Sequence, residues 1–196
     1  MGMKINSKLA MVLAALDLFM AVTATYVDRF EFLSAPWYLV IFIPICPLYP
    51  LLLGINFWKF GKAGSFNQFL LNFTAIGIIS YGLMAFVFYP LYMLENGFGW
   101  YELGNIFWVA LYSSQIFVIY HHLNRIKIWQ LFMIGAYFFA KDVLDRFGNT
   151  FSYQKDGALS GDLSNFLFGT IVILHLAAIL LISFKTFRVS TIRPRR

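Results

Sequence analysis

Residues 9–27 read LAMVLAALDLFMAVTATYV, an unbroken apolar stretch whose one charged side chain is Asp17. As a helix rising 1.5 Å per residue it is about 28 Å long, close to the roughly 30 Å of a bilayer's hydrocarbon core. Lys4 and Lys8 precede it, and small residues around Ala21 to Ala24 end it, which is the outline of a signal peptide. Asp17 in mid-run, and further runs of the same kind downstream, argue instead for a retained first membrane helix.

Window hydropathy finds five more such runs, at 36–57, 69–91, 104–122, 128–147 and 163–184. The chain has 196 residues, 60% apolar and 12% charged, whereas a soluble domain runs near 45 to 50% apolar and about 25% charged. An ordinary soluble domain is excluded. The expectation is an all-α bundle of six transmembrane helices in a single integral membrane domain, 1–196, with loops too short to hold a soluble active site. The runs are continuous and lack the alternation that a β-barrel strand needs.

The 15 Lys and Arg exceed the 9 Asp and Glu, and membrane topology accounts for the excess. With the N-terminus inside, Lys4, Lys8, Lys59, Lys62, Arg125, Lys127, Lys185, Arg188, Arg193, Arg195 and Arg196 are cytoplasmic. Arg29, Lys141, Arg146 and Lys155 remain outside or at outer helix ends. That split predicts both termini in the cytoplasm of a multi-pass plasma-membrane protein. All acids except Asp17 fall on the outer side. Trp37, Tyr38, Trp100 and Tyr101 flank the outer boundaries, and Trp58 and Trp129 the inner ones. The connection 148–162, with Gly157, Ser160 and Gly161, reads as a mobile outer loop. The tail ending Arg193, Pro194, Arg195, Arg196 is read as lying against anionic lipid, with no nucleic-acid role. Cys46 is the only cysteine, so no internal disulfide or cysteine-rich metal site is available.

The informative residues are polar ones within the spans. Asp17 lies nine residues beyond Lys8, about 14 Å into the core. Ala10, Ala14, Asp17 and Ala21 recur at steps of four, three and four, so Asp17 is expected on a small-residue stripe facing protein. It reads either as a proton or cation relay, or as a protonated carboxyl bonded across a helix interface. On the fourth span Trp108, Tyr112, Gln115, Ile119 and His122 share a face, a polar seam on which Gln115 and Tyr112 bond to a neighbouring helix.

The fifth span ends in Lys141, Asp142, Asp145 and Arg146. Lys141 with Asp145 and Asp142 with Arg146 are i,i+4 pairs, so the group reads as a self-neutralising outer stripe or as a site for an ion or polar ligand. In the second span Pro44, Pro47 and Pro50 deprive the carbonyls of Val40, Ile43 and Cys46 of partners. They either kink the helix or break it in the manner of transporter helices. A haem would need two histidines meeting from opposite sides. His121 and His122 fall at the inner boundary, while His175 lies about 14 Å deeper by helical rise. No cofactor is therefore predicted, neither haem nor quinone, and no metal site or catalytic residue.

The run Ala35, Pro36, Trp37, Tyr38, Leu39, Val40, Ile41, Phe42, Ile43, Pro44, followed by Pro47, resembles the YpjA-like family of small prokaryotic membrane proteins. That family has a Pro-Trp segment leading into Phe-Val-Pro-Asp-Ser-Pro. Ser80, Tyr81, Gly82 and Lys141, Asp142, Val143, Leu144, Asp145 look like its Lys-Tyr-Gly and Asn-Asp-x-x-Asp segments. The likeness spans about three quarters of the chain by its motifs, and Pro44, Pro47, Tyr81, Gly82, Asp142 and Asp145 match. Ile45 and Cys46 stand where the family has Asp-Ser, Ser80 where it has Lys, and Lys141 and Asp17 where Asn is expected. Some members are encoded near cytochrome bc-type components, so the resemblance implies a link to respiration. The leading expectation is thus a non-catalytic subunit or accessory factor of a larger membrane complex, with the lipid bilayer and other membrane subunits as partners. The alternative is a small proton- or ion-coupled transporter using Asp17 and the Lys141 to Arg146 stripe.

Overall fold

The computed structural model describes residues 5–27, 29, 33, 45–147 and 159–192. Among them there is no strand. The order is α1 (Ser7–Val27), α2 (Ile45–Ala63), α3 (Gln68–Asn96), α4 (Trp100–Ser114), the single turn α5 (Ile116–Ile119) with a 3₁₀ turn (Tyr120–His122), α6 (Ile128–Phe147) and α7 (Gly161–Ile192). The chain is all-α, and four segments are long and apolar enough to cross a membrane: α1, α3, Trp100–His122 and Gly161–Thr186. Of the two long helices outside that set, α6 carries four charges, Lys141 to Arg146, and α2 carries Lys59 and Lys62 with Pro47, Pro50 and Asn56. The chain is a membrane protein on this measure, and its exposed faces agree: Phe19, Phe107, Phe117, Phe132, Ile173 and Phe184 all stand bare.

Local chemistry sets the helix ends. Asn6 and Asn67 cap α1 and α3, their side-chain oxygens accepting from Leu9 N–H at 2.8 Å and Leu70 N–H at 3.3 Å. Gly97, at φ 89°, stops α3 while donating its N–H to the Met93 carbonyl. The fourth expected span is not one continuous helix. Ser114 Oγ donates to the Leu111 carbonyl at 2.7 Å, the acceptor that the Gln115 N–H would use, and that N–H turns to the Tyr112 carbonyl instead. Serine competing for a helix carbonyl is the local cause of the break.

The centre of the bundle is α3, with 67% of its most apolar window buried against 28% for α1 and Gly161–Thr186. It packs on α2, α4 and α7, while α1 lies along α2 and α6 along α7. Glycines permit the closest approaches. A Cβ on Gly54 would meet the Leu18 side chain, one on Gly77 the Tyr49 ring, and one on Gly82 the Ser113 hydroxyl.

Two sets of bonds tie the ends of the bundle. At one end Gln68 accepts the Asn124 N–H at 2.8 Å and donates to the His122 carbonyl at 3.2 Å. The His122 ring packs against Phe60 and Phe66 there. At the other end Ser160 donates both its hydroxyl, at 2.7 Å, and its N–H, at 3.1 Å, to the Glu95 carboxylate. Lys59 and Lys62 follow the first end, Glu95 and Glu102 the second. The expected 36–44 portion of the second span, with Pro44, Trp37 and Tyr38, lies outside the described residues, as do 148–158 of the expected mobile loop and the tail 193–196.

Candidate functional site

Two buried polar centres arise from the helix contacts. The first joins α1 to the break after α4. Ala10, Ala14, Asp17 and Ala21 form the buried stripe of α1, and Asp17 has no exposed surface. Its Oδ1 accepts a 2.6 Å hydrogen bond from Gln115 Nε2. The other oxygens of the pair, Asp17 Oδ2 and Gln115 Oε1, are buried with no protein partner. Buried acceptors left unmatched favour a donor or a positive charge nearby.

The second centre lies between α3, α6 and α7. His175 Nδ1 stands 2.9 Å from both oxygens of Asp142, in hydrogen-bonding geometry with Oδ2. The two residues are 2% and 5% exposed. The imidazole is packed edge-on to Tyr81, ring centres 4.9 Å apart, and against Phe138 at 4.6 Å. His175 Nε2 and the Tyr81 hydroxyl are both buried without a protein partner. Lys141 pairs with Asp145 at 2.5 Å on the next rung of α6, also buried. Tyr49, on α2, stacks obliquely on Tyr81 at 5.6 Å and lies within electrostatic reach of Asp142, Asp145, Tyr137 and Tyr112. Tyr81, His175, Asp142, Lys141 and Asp145 thus form a cluster of titratable side chains inside the bundle.

The expected Asp142 to Arg146 pair is not made. Asp142 turns to His175, and Arg146 donates to Asn165 Oδ1 at 2.7 Å. Both partners belong to α7, which runs antiparallel to α6 and offers each side chain a neighbour across the interface. The four charges share one face of α6 but not one environment: Lys141, Asp142 and Asp145 are buried, while Arg146 is half-buried. The proline expectation also changes. Pro47 lies near the start of the described part of α2 and Pro50 lies within the helix. Pro44 lies outside the described residues.

His175 and His122 are not brought together, the first against Asp142 and the second between Phe60 and Phe66. Among the described residues no three His, Cys, Asp or Glu side chains gather as a metal site. Reading by residue type missed Tyr49, which occupies the core of the second centre. Its signal was helical: Tyr49, Leu53, Asn56 and Phe57 recur at steps of four, three and one, and all are buried. Compared with protein-family models, with curated proteins and with solved structures, the chain matches none.

Proposed function

We propose that this chain is a six-span protein of the plasma membrane, both termini cytoplasmic, that carries protons or a small cation across the bilayer. The supporting observation is the Asp142–His175 pair, a buried acid and base on different helices with Tyr81 and the Lys141–Asp145 pair beside it. A relay through a membrane requires more than one titratable group, and Asp17 alone does not supply that. In this reading His175 accepts a proton while Asp142 orients the ring and balances its charge. Kinship with the YpjA-like family, proposed on its motif residues, draws on the same place, because Tyr81, Asp142 and Asp145 all belong to this centre.

Proteoliposomes with an imposed pH gradient and an internal pH dye test the reading. His175→Gln and Asp142→Asn are each expected to slow flux about a hundredfold, the scale on which a positioned proton acceptor acts. Asp17→Asn is expected to abolish coupled flux as well. Wild-type flux in all three variants, with the folded fraction intact by gel filtration, overturns the proposal.

A second reading, a non-catalytic subunit of a respiratory membrane complex, is favoured by the bare apolar faces of α1, α4 and α7. It also accords with the link to respiration that the resemblance implies. Mild-detergent purification followed by mass spectrometry of the native species discriminates the two. Stoichiometric larger subunits support this second reading; a free chain with flux activity refutes it.

A further inference from the structure

A cavity of about 220 Å³ lies between α1 and α4, its side walls carrying Trp100, Tyr101, Trp108 and Tyr112. Along α4, Tyr101, Asn105, Trp108, Tyr112 and Gln115 recur at steps of four, three, four and three, so they form one stripe. Along α1, Val27, Ala24, Met20 and Asp17 recur at steps of three, four and three. All of these residues line the cavity except the last of each series, and those two are joined to one another. The Asp17–Gln115 hydrogen bond therefore closes the bottom of the same seam, one helical rung, about 4.5 Å, below the lining residues Met20 and Tyr112. Exposure falls along the seam, from 80% at Trp100 to 3% at Tyr112. The cavity narrows from an exposed, aromatic mouth to a buried floor over a carboxyl.

We propose that this cavity binds a small monovalent organic cation, a quaternary or tertiary ammonium, with the aromatic faces as its cage and Asp17 as its counter-charge. Three features of the site choose this class. Ring faces attract a weakly hydrated cation and repel an anion. The orphaned atoms beneath the floor, Asp17 Oδ2 and Gln115 Oε1, are both acceptors once Asp17 is ionised, and among the described residues no basic side chain lines the walls. Calcium or magnesium needs about six or more oxygen ligands, carboxylates among them, whereas the described residues of the walls offer Thr23, Asn105 and phenolic or indole groups. A neutral apolar guest would fill the volume but leave the carboxyl unmatched. The proposal deepens the carrier reading, on which it rests for the cation's purpose, by naming the class of substrate.

Gly104 makes the test clean. It lines the cavity, and a Cβ built on it meets nothing within 4 Å, so Gly104→Leu starts in open space, takes up cavity volume and improves helix propensity. The purified full chain in nanodiscs is titrated with radiolabelled benzyltrimethylammonium and challenged with neopentylbenzene, its neutral isostere. Saturable binding is expected, weakened at least about tenfold by Asp17→Asn, lost in Gly104→Leu and not displaced by the neutral compound. No saturable binding, binding that survives Gly104→Leu, or equal displacement by neopentylbenzene overturns the proposal. Binding is measured without a gradient, so a chain that binds the probe but moves neither protons nor the probe across proteoliposomes refutes the carrier reading alone. A chain that moves protons and ignores the probe refutes the cation alone.

Discussion

Tyr49 occupies space that exists because residue 77 has no side chain. A Cβ at Gly77 would stand 2.0 Å from the Tyr49 ring, and that ring is held on its other sides by Phe73 and Tyr81. Buried as it is, the ring has no open volume to retreat into. Gly77→Ala is therefore expected to destabilise the fold by about 1 to 3 kcal/mol, the usual cost of overpacking a filled core. Thermal unfolding in detergent followed by circular dichroism measures it; a melting temperature equal to wild type would show the ring free to move. Neither this contact nor the choice made by Asp142 could be read from the chain. Spacing along α6 names Arg146 as a partner for Asp142, because it knows only neighbours on the same helix. The nearer competitor, His175, arrives from 33 residues away, and only the packing of α7 on α6 sets the two in reach. Asp17 was legible for the opposite reason: its own helix carries the small-residue stripe that buries it.

The α1–α2 seam shows how an element's packing depends on what faces each glycine. At Gly54 an added Cβ meets Leu18 Cγ at 2.8 Å and the Leu18 backbone nitrogen at 3.2 Å, so the helices themselves must part. At Gly61 it meets the sulfur and Cγ of Met11 at 2.6 and 2.8 Å, the far part of a flexible side chain on an exposed face. Gly54→Ala is expected to cost about 1 to 3 kcal/mol, whereas Gly61→Ala is expected to be near neutral, since Met11 swings aside and alanine favours the helix. Thermal melts of the two variants side by side decide it, and equal losses would show that both seams are rigid. At this scale the apolar runs located every described helix, but not how each ends. Hydropathy falls at Phe184, yet α7 continues to Ile192, about 48 Å in all against a core of about 30 Å. Backbone hydrogen bonds continue a helix past the point where side chains stop preferring lipid. The break at Gln115 was hidden likewise, because it depends on which carbonyl the Ser114 hydroxyl takes.

For the whole molecule the sequence pattern and the packing meet in the orientation of the bundle. The bonds of Gln68 to the 122–124 backbone gather at one end the turns beside Lys59, Lys62, Arg125 and Lys127. The Ser160 to Glu95 bonds gather at the other end the segments that carry Glu95, Glu102 and Asp162. A charge difference of this kind between the ends predicts the basic one in the cytoplasm, and the six crossings proposed above would then return both termini to the same side. Cys46 is the only cysteine, so a Cys46→Ser background is free of thiols. Lys62→Cys and Glu102→Cys, each made singly there, report the two ends with a membrane-impermeant maleimide. Glu102→Cys is expected to react in intact cells, and Lys62→Cys only after the membrane is opened. The reverse pattern would invert the bundle, putting the mouth of the Trp100 to Tyr112 cavity on the cytoplasmic side.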